Sequence, residues 1–123
     1  MKILNFGTCN IDYVYSLTHI VRAGETLHSG GFNIFPGGKG LNQSIALARS
    51  GAQVFHAGCV GSDGDLLTDI LSENGVDITH IKRVSDKNGH AIIQVSADGE
   101  NSIFLHSGSN VMITKSDVDN TLS

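Results

Sequence analysis

Three glycines surround a lysine in Pro36-Gly37-Gly38-Lys39-Gly40-Leu41-Asn42, just ahead of a helical pattern. Glycines leave backbone N–H groups uncovered by side chains. Those donors, the positive end of the helix and Lys39 can therefore face one oxygen-rich ligand. The stretch is not a GxxxxGK[ST] phosphate loop. That motif needs glycine at position 33, where Asn33 stands, and Ser or Thr after the lysine, where Gly40 stands. Nor is it a GxGxxG dinucleotide fingerprint, since Gly58-Cys59-Val60-Gly61-Ser62-Asp63-Gly64 has the wrong spacing. By spacing alone, a glycine-rich turn packing a helix close to a strand explains these residues equally well.

Asn10 and Asp12 follow the first apolar run and are separated by one residue. In α/β sheets ligands gather beyond the carboxyl ends of strands. In extended chain, positions 10 and 12 point to the same side. An amide and a carboxylate offer donors and acceptors to vicinal hydroxyls, and a hydrogen bond to an ionised carboxylate contributes about 1.5–3 kcal/mol. An Asx turn leaving the strand accounts for the same pair. The six histidines show neither HxxxH nor HxH spacing, and no adjacent Ser–His pair marks a nucleophile. Asp63 and Asp65 read as helix-start carboxylates rather than metal ligands. No metal site is expected.

These residues need a scaffold. Ile3 to Gly7 reads as a buried strand, and Asn10 to Gly24 as irregular chain. Glu25 to Phe35 reads as extended segments broken by Gly30-Gly31 and ended by Pro36-Gly37-Gly38. From Gly40 the period becomes helical, with Leu41, Ile45 and Ala48 on one face and Gly51 as the stop. Gln53 to Val60 is a second apolar strand. Ser62 or Asp63 then caps a helix whose buried face is Leu66, Leu67, Ile70 and Leu71, ending at Gly75. Ala91–Ser96 and Ser102–His106 flank an Asp98-Gly99 turn and predict a hairpin. Thr114 to Asp117 resembles a capping box.

The order is strand, helix, strand, helix, then a hairpin: an α/β class with only two or three core strands, where a parallel sheet is normally covered by helices on both faces. It reads like the first part of a larger α/β domain. With 123 residues the chain holds one modest domain. Twelve acidic against eight basic residues give −4, and no basic run exists, which argues against a dedicated nucleic-acid or membrane-surface binder. Apolar residues at 40% and a mean hydropathy of +0.03 exclude a disordered tail. Cys9 and Cys59 form no CxxC pair and read as small buried hydrophobes in strands. No apolar stretch is long enough for a signal peptide or a membrane span, so the expectation is a cytoplasmic protein.

Gly7-Thr8-Cys9-Asn10-Ile11-Asp12, Pro36 to Gln43, and Gly58 to Asp63 occur in an order that resembles the N-terminal half of the ribokinase-like carbohydrate kinases. Gly24-Glu25-Thr26, Gly99-Glu100-Asn101 and His106 to Asn110 follow the same order. Lys39 within Gly-Gly-Lys-Gly favours the ribokinase branch. The resemblance implies part of a Rossmann-like three-layer sandwich with a small β-sheet lid, built from segments near 25–35 and 91–106. It implies ribose or a related sugar as substrate, phosphorylated on the 5-hydroxyl, and pairing of two subunits through the lid. By position, Asn10 and Asp12 would hold sugar hydroxyls, while Gly38, Lys39, Gly40 and Asn42 would close the other side. ATP and Mg2+ are implied for the complete enzyme. The family's catalytic aspartate sits in a Gly-x-Gly-Asp segment, and none occurs in these 123 residues. The chain alone is therefore expected to be inactive. The alternative is a non-catalytic sugar-binding or assembly module.

Overall fold

The computed structural model describes residues 1–123. Its elements run β1 (Lys2–Phe6), β2 (Asn10–Leu17), β3 (Gly31–Gly37), α1 (Lys39–Arg49), β4 (Gln53–Val60), α2 (Asp65–Glu73), β5 (Asp77–Arg83), β6 (His90–Ser96), β7 (Asn101–His106), a 3-10 turn (Gly108–Val111) and α3 (Lys115–Leu122). They make two sheets. One is three-stranded in the order β1-β4-β5 and wholly parallel. The other is four-stranded in the order β3-β2-β6-β7, with β2 and β6 parallel and the outer pairs antiparallel.

The parallel sheet is packed closely on one face and only partly covered on the other, where Leu4 and Phe6 stay exposed. Val54, His56 and Val60 of β4 turn to α1 and α2, where Leu41, Leu67 and Leu71 complete the core. Cys59 turns the other way, toward Val118 of α3 and Ile113. This is the helix–sheet–helix layering expected of an α/β chain. Both first helices stop as predicted, at Gly51 (φ +99°) and Gly75 (φ +80°), conformations that glycine adopts without steric cost.

The second sheet departs from the sequence reading. Asn10–Leu17 is not irregular but is an inner strand of that sheet. Ile11, Tyr13, Tyr15 and Leu17 alternate with Asn10, Asp12, Val14 and Ser16, the period-two signature of a strand with two unlike faces. The extended stretch begins at Gly31, because Glu25 instead ends a turn, accepting from Arg22 N–H and pairing with His19. Pro36 continues β3 rather than ending it, which an edge strand tolerates since no neighbour needs its missing N–H. β5 was not foreseen. Its register against β4 shifts between Phe55 and Ala57, so its apolar spacing is not that of a regular strand.

At α2 the structure also corrects the expected cap. Gly64 occupies the N-cap position and no side chain caps the helix. Asp63 is drawn away, its Oδ1 accepting the Asn88 N–H at 2.8 Å and its Oδ2 lying 2.9 Å from Lys87 Nζ. Leu66 is 39% exposed rather than buried, and lines an open cleft with Ile11, Tyr13 and Ile34 of the second sheet. The Thr114–Asp117 capping box is present. Cys9 is buried, but in the β1–β2 connection rather than a strand.

All four strands of the second sheet join the rest of the chain at one end. β2 and β6 begin there, after Gly7–Cys9 and Val84–Gly89, while β3 and β7 end there, before Gly38 and Ser107. Asn10, the glycine loop and the carboxyl ends of β1 and β4 are thereby gathered together.

Candidate functional site

The gathering point is made by close backbone packing. A Cβ on either Gly7 or Gly40 would lie 2.5 Å from the other's Cα, so neither position accepts a side chain without moving β1 or α1. Gly38, at φ +97°, brings the loop against Thr8, whose carbonyl accepts the Leu41 N–H at 3.1 Å. The first turn of α1 is thus strapped to the connection that leads into β2.

A buried polar chain lies beneath this contact. Asn5 Nδ2 donates to Gly40 O at 2.9 Å and to Ser44 Oγ at 3.0 Å. Ser44 Oγ is 2.7 Å from His56 Nδ1, and His56 Nε2 is 3.2 Å from both Gly7 O and Cys9 Sγ. A carbonyl can only accept, so Nε2 carries the proton and Nδ1 accepts the Ser44 hydroxyl. Burial holds the His56 ring below its usual 6.5, and pushes the Cys9 thiol up to about 12. No Ser and His are adjacent in the sequence as a nucleophile pair; the fold brings Ser44 and His56 together, fully enclosed and therefore structural rather than nucleophilic.

Above the glycine loop opens a cavity of about 510 Å³. Thr8, Asn10, Gly38, Lys39 and Asn42 line one side, and Leu105, His106, Ser107, Asn110 and Val111 the other. Four of the six predicted binding residues thus meet in one place. Gly40 does not line the cavity; it is spent on the contact with Gly7. Asp12 also lies outside the lining, one strand step beyond Asn10 on the same face of β2. It stands in an apolar row, between Phe35 of β3 and Ala91 of β6, with Leu105 next across the sheet. Burial there pushes its carboxyl above the usual 3.8, and Gly37 leaves the space that its carboxylate fills. A second, more apolar cavity of about 340 Å³ includes Phe6, Cys59, Ile113 and Val118, and shares Thr8 and Asn110 with the first.

Sequence reasoning missed two asparagines. Asn88 is fully buried, accepting the Gly61 N–H at 2.9 Å and donating to Cys9 O at 3.1 Å and Gly89 O at 2.7 Å. Asn110 accepts the Cys9 N–H at 3.1 Å and donates to Asn10 Oδ1 at 2.6 Å. Partners 79 and 100 positions apart leave no local signal to read. Chemically the site offers amide and ammonium donors on one wall and a desolvated carboxylate at its edge, a set suited to a polyhydroxylated ligand.

The family model described as pfkB family carbohydrate kinase matches residues 1–122. The chain is 44% identical over 107 residues to the ribokinase of Haemophilus influenzae, covering 85% of this chain and 35% of that protein. Among solved structures it is similar to a Cryptococcus neoformans ribokinase in complex with ADP, with TM-score 0.82 and 46% identity over 88% of this chain and 35% of that one. An Arabidopsis thaliana ribokinase complexed with ribose and ATP matches with TM-score 0.84 and 26% identity, over 94% of this chain and 40% of the other. The chain thus spans little more than a third of the length of the relatives it matches.

Proposed function

The chain belongs to the pfkB family of carbohydrate kinases, and from that premise we propose that it carries the sugar-binding half-site of a ribokinase-type enzyme. The complete enzyme would transfer the γ-phosphoryl of ATP to the 5-hydroxyl of ribose or a related sugar. The observation that carries this is the convergence of Asn10, Gly38, Lys39 and Asn42 on one cavity, with Asp12 at its edge. Asn10 and Lys39 donate to sugar oxygens. Asp12 accepts from a hydroxyl, and its desolvated setting strengthens that bond. Gly40 contributes by letting α1 approach β1. The second sheet, including 31–37 and 90–106, covers the sugar and limits competition from water.

Phosphoryl transfer depends on positioning and on electrostatic stabilisation of the transferring group. ATP and Mg2+ belong to the complete enzyme in this reading. No three His, Cys, Asp or Glu side chains converge here, and a magnesium ion held mainly by nucleotide phosphates and water does not need such a cluster. The 123 residues alone then bind sugar without turning over. No helix is long and apolar enough to cross a membrane. Dependence on ATP is what supports reading the complete enzyme as cytoplasmic. Titration calorimetry with ribose tests the reading. Binding to the wild-type chain, weakened roughly tenfold or more by Asp12→Asn, is expected, with no ribose-dependent ADP release. Unchanged binding in the variant overturns the half-site, and ADP release overturns the expected inactivity.

A non-catalytic assembly module is the second reading, favoured by the exposed Phe32, Ile34 and Phe104 of the second sheet. Both readings share a homodimer paired through that sheet. They part at ribose binding, which only the first requires.

A further inference from the structure

We propose that Asn110 is a positioning residue that fixes which face of the Asn10 amide the cavity sees. The inference rests on reading the cavity as a sugar site. Its geometry, however, stands on hydrogen-bond direction alone. The Cys9 N–H can only donate, so the Asn110 atom 3.1 Å from it is the carbonyl oxygen. The Asn110 Nδ2 is then the atom facing Asn10, and it donates to Asn10 Oδ1 at 2.6 Å. With its oxygen turned to Asn110, the amide edge that Asn10 has left for the cavity it lines is the N–H edge.

Asn110 is itself held. Its backbone N–H donates to Ser107 O at 2.9 Å within the 3-10 turn, and the preceding Ser109 is tied by its N–H to Lys87 O and by its hydroxyl to the Gly89 N–H, each at 3.0 Å. The amide pair passes directly over Gly89, where a Cβ would collide with Asn110 Nδ2 and lie 2.9 Å from Asn10 Oδ1. An amide free to rotate could meet a hydroxyl as donor or acceptor; this one meets it only as donor. Beside Asp12, which only accepts when ionised, the site then distinguishes the two ends of a hydroxyl pair. It disfavours a ligand lacking the oxygen that Asn10 addresses.

Asn110→Asp tests this with almost no change in shape. One carboxylate oxygen still accepts the Cys9 N–H, but the other now accepts where an N–H donated, so Asn10 flips and shows its carbonyl to the cavity. The expected result is ribose affinity reduced roughly tenfold or more. Across 1-, 2- and 3-deoxyribose, the analogue lacking the addressed hydroxyl loses least. Asn110→Ala leaves Asn10 free to rotate and loses less than Asn110→Asp, whereas a merely structural role makes the truncation at least as harmful. Equal losses for every analogue, or a larger loss in the alanine variant, overturn the proposal. Should the wild-type chain bind no ribose, the sugar reading fails, and the amide geometry is decided by side-chain NMR. Slowly exchanging Asn110 Nδ2 protons in the wild type, replaced by slowly exchanging Asn10 Nδ2 protons in Asn110→Asp, support it. Unchanged exchange at Asn10 overturns it.

Discussion

In the parallel sheet β1-β4-β5, Val54 and Val60 of β4 are covered by α1 and α2, and even the polar His56 and Ser44 are fully enclosed. In the mixed sheet β3-β2-β6-β7, residues of the same kind stand in solvent: Phe35 is 50% exposed, Phe104 61% and Leu105 69%. Ile11 is the one member of the buried cluster that comes from the second sheet. Strand-forming residues therefore serve two purposes in one small chain. In the first sheet they supply stability through burial. In the second they form a surface of a kind that marks an interaction site.

The contrast can be broken most strongly from the stable side. Leu67→Ala, at a fully buried position, is expected to cost about 2–5 kcal/mol in denaturant unfolding. A loss below about 1 kcal/mol would mean that the first sheet does not carry the fold. In the proposed reading the two faces of the second sheet do different things, one pairing subunits and the other meeting the sugar, and they should respond differently. Phe104 shares a row with Tyr13 and Ile34, on the face away from Asp12, whereas Leu105 shares the row of Asp12 itself. Phe104→Asp should therefore halve the mass measured by light scattering, while Leu105→Asp leaves that mass unchanged and weakens ribose binding. The reverse pattern would exchange the roles of the two faces.

The smallest effect is a pH dependence. His56 is held below its usual 6.5 by burial, so the unfolded chain takes up the proton first. Stability is full above about 6.5 and declines as pH falls from there toward the folded-state value. His56→Gln should remove that decline, as followed by thermal melts across the range. A decline that persists unchanged assigns it to another group.

Much of the buried half was legible in the sequence. The β4 run from Gln53 to Val60, the α1 period and the glycine stops after both helices are local signals set by local physics. The glycine loop was legible as a candidate site for the same reason. β2 was harder, because Asn10, Asp12 and Ser16 give its second face a mixed polar and apolar character that reads as irregular chain. Its alternation through Ile11, Tyr13, Tyr15 and Leu17 was nevertheless there to be read. Asn88 and Asn110 were not legible. Their roles exist only after β1, β4, β6 and the 3-10 turn have met, and an isolated asparagine gives no sign of a partner 100 positions away.

The one-ended attachment of the second sheet also sets its mechanics. Eight extended residues span about 25 Å, so a rigid tilt of roughly 10° about the junction sweeps the far tip through about 4 Å and moves residues at the pivot by a small fraction of that. Asn10 stands at the pivot, and the Ala97–Glu100 turn stands at the tip. Such a lever can swing its tip widely while Asn10 and the glycine loop beside it keep their positions.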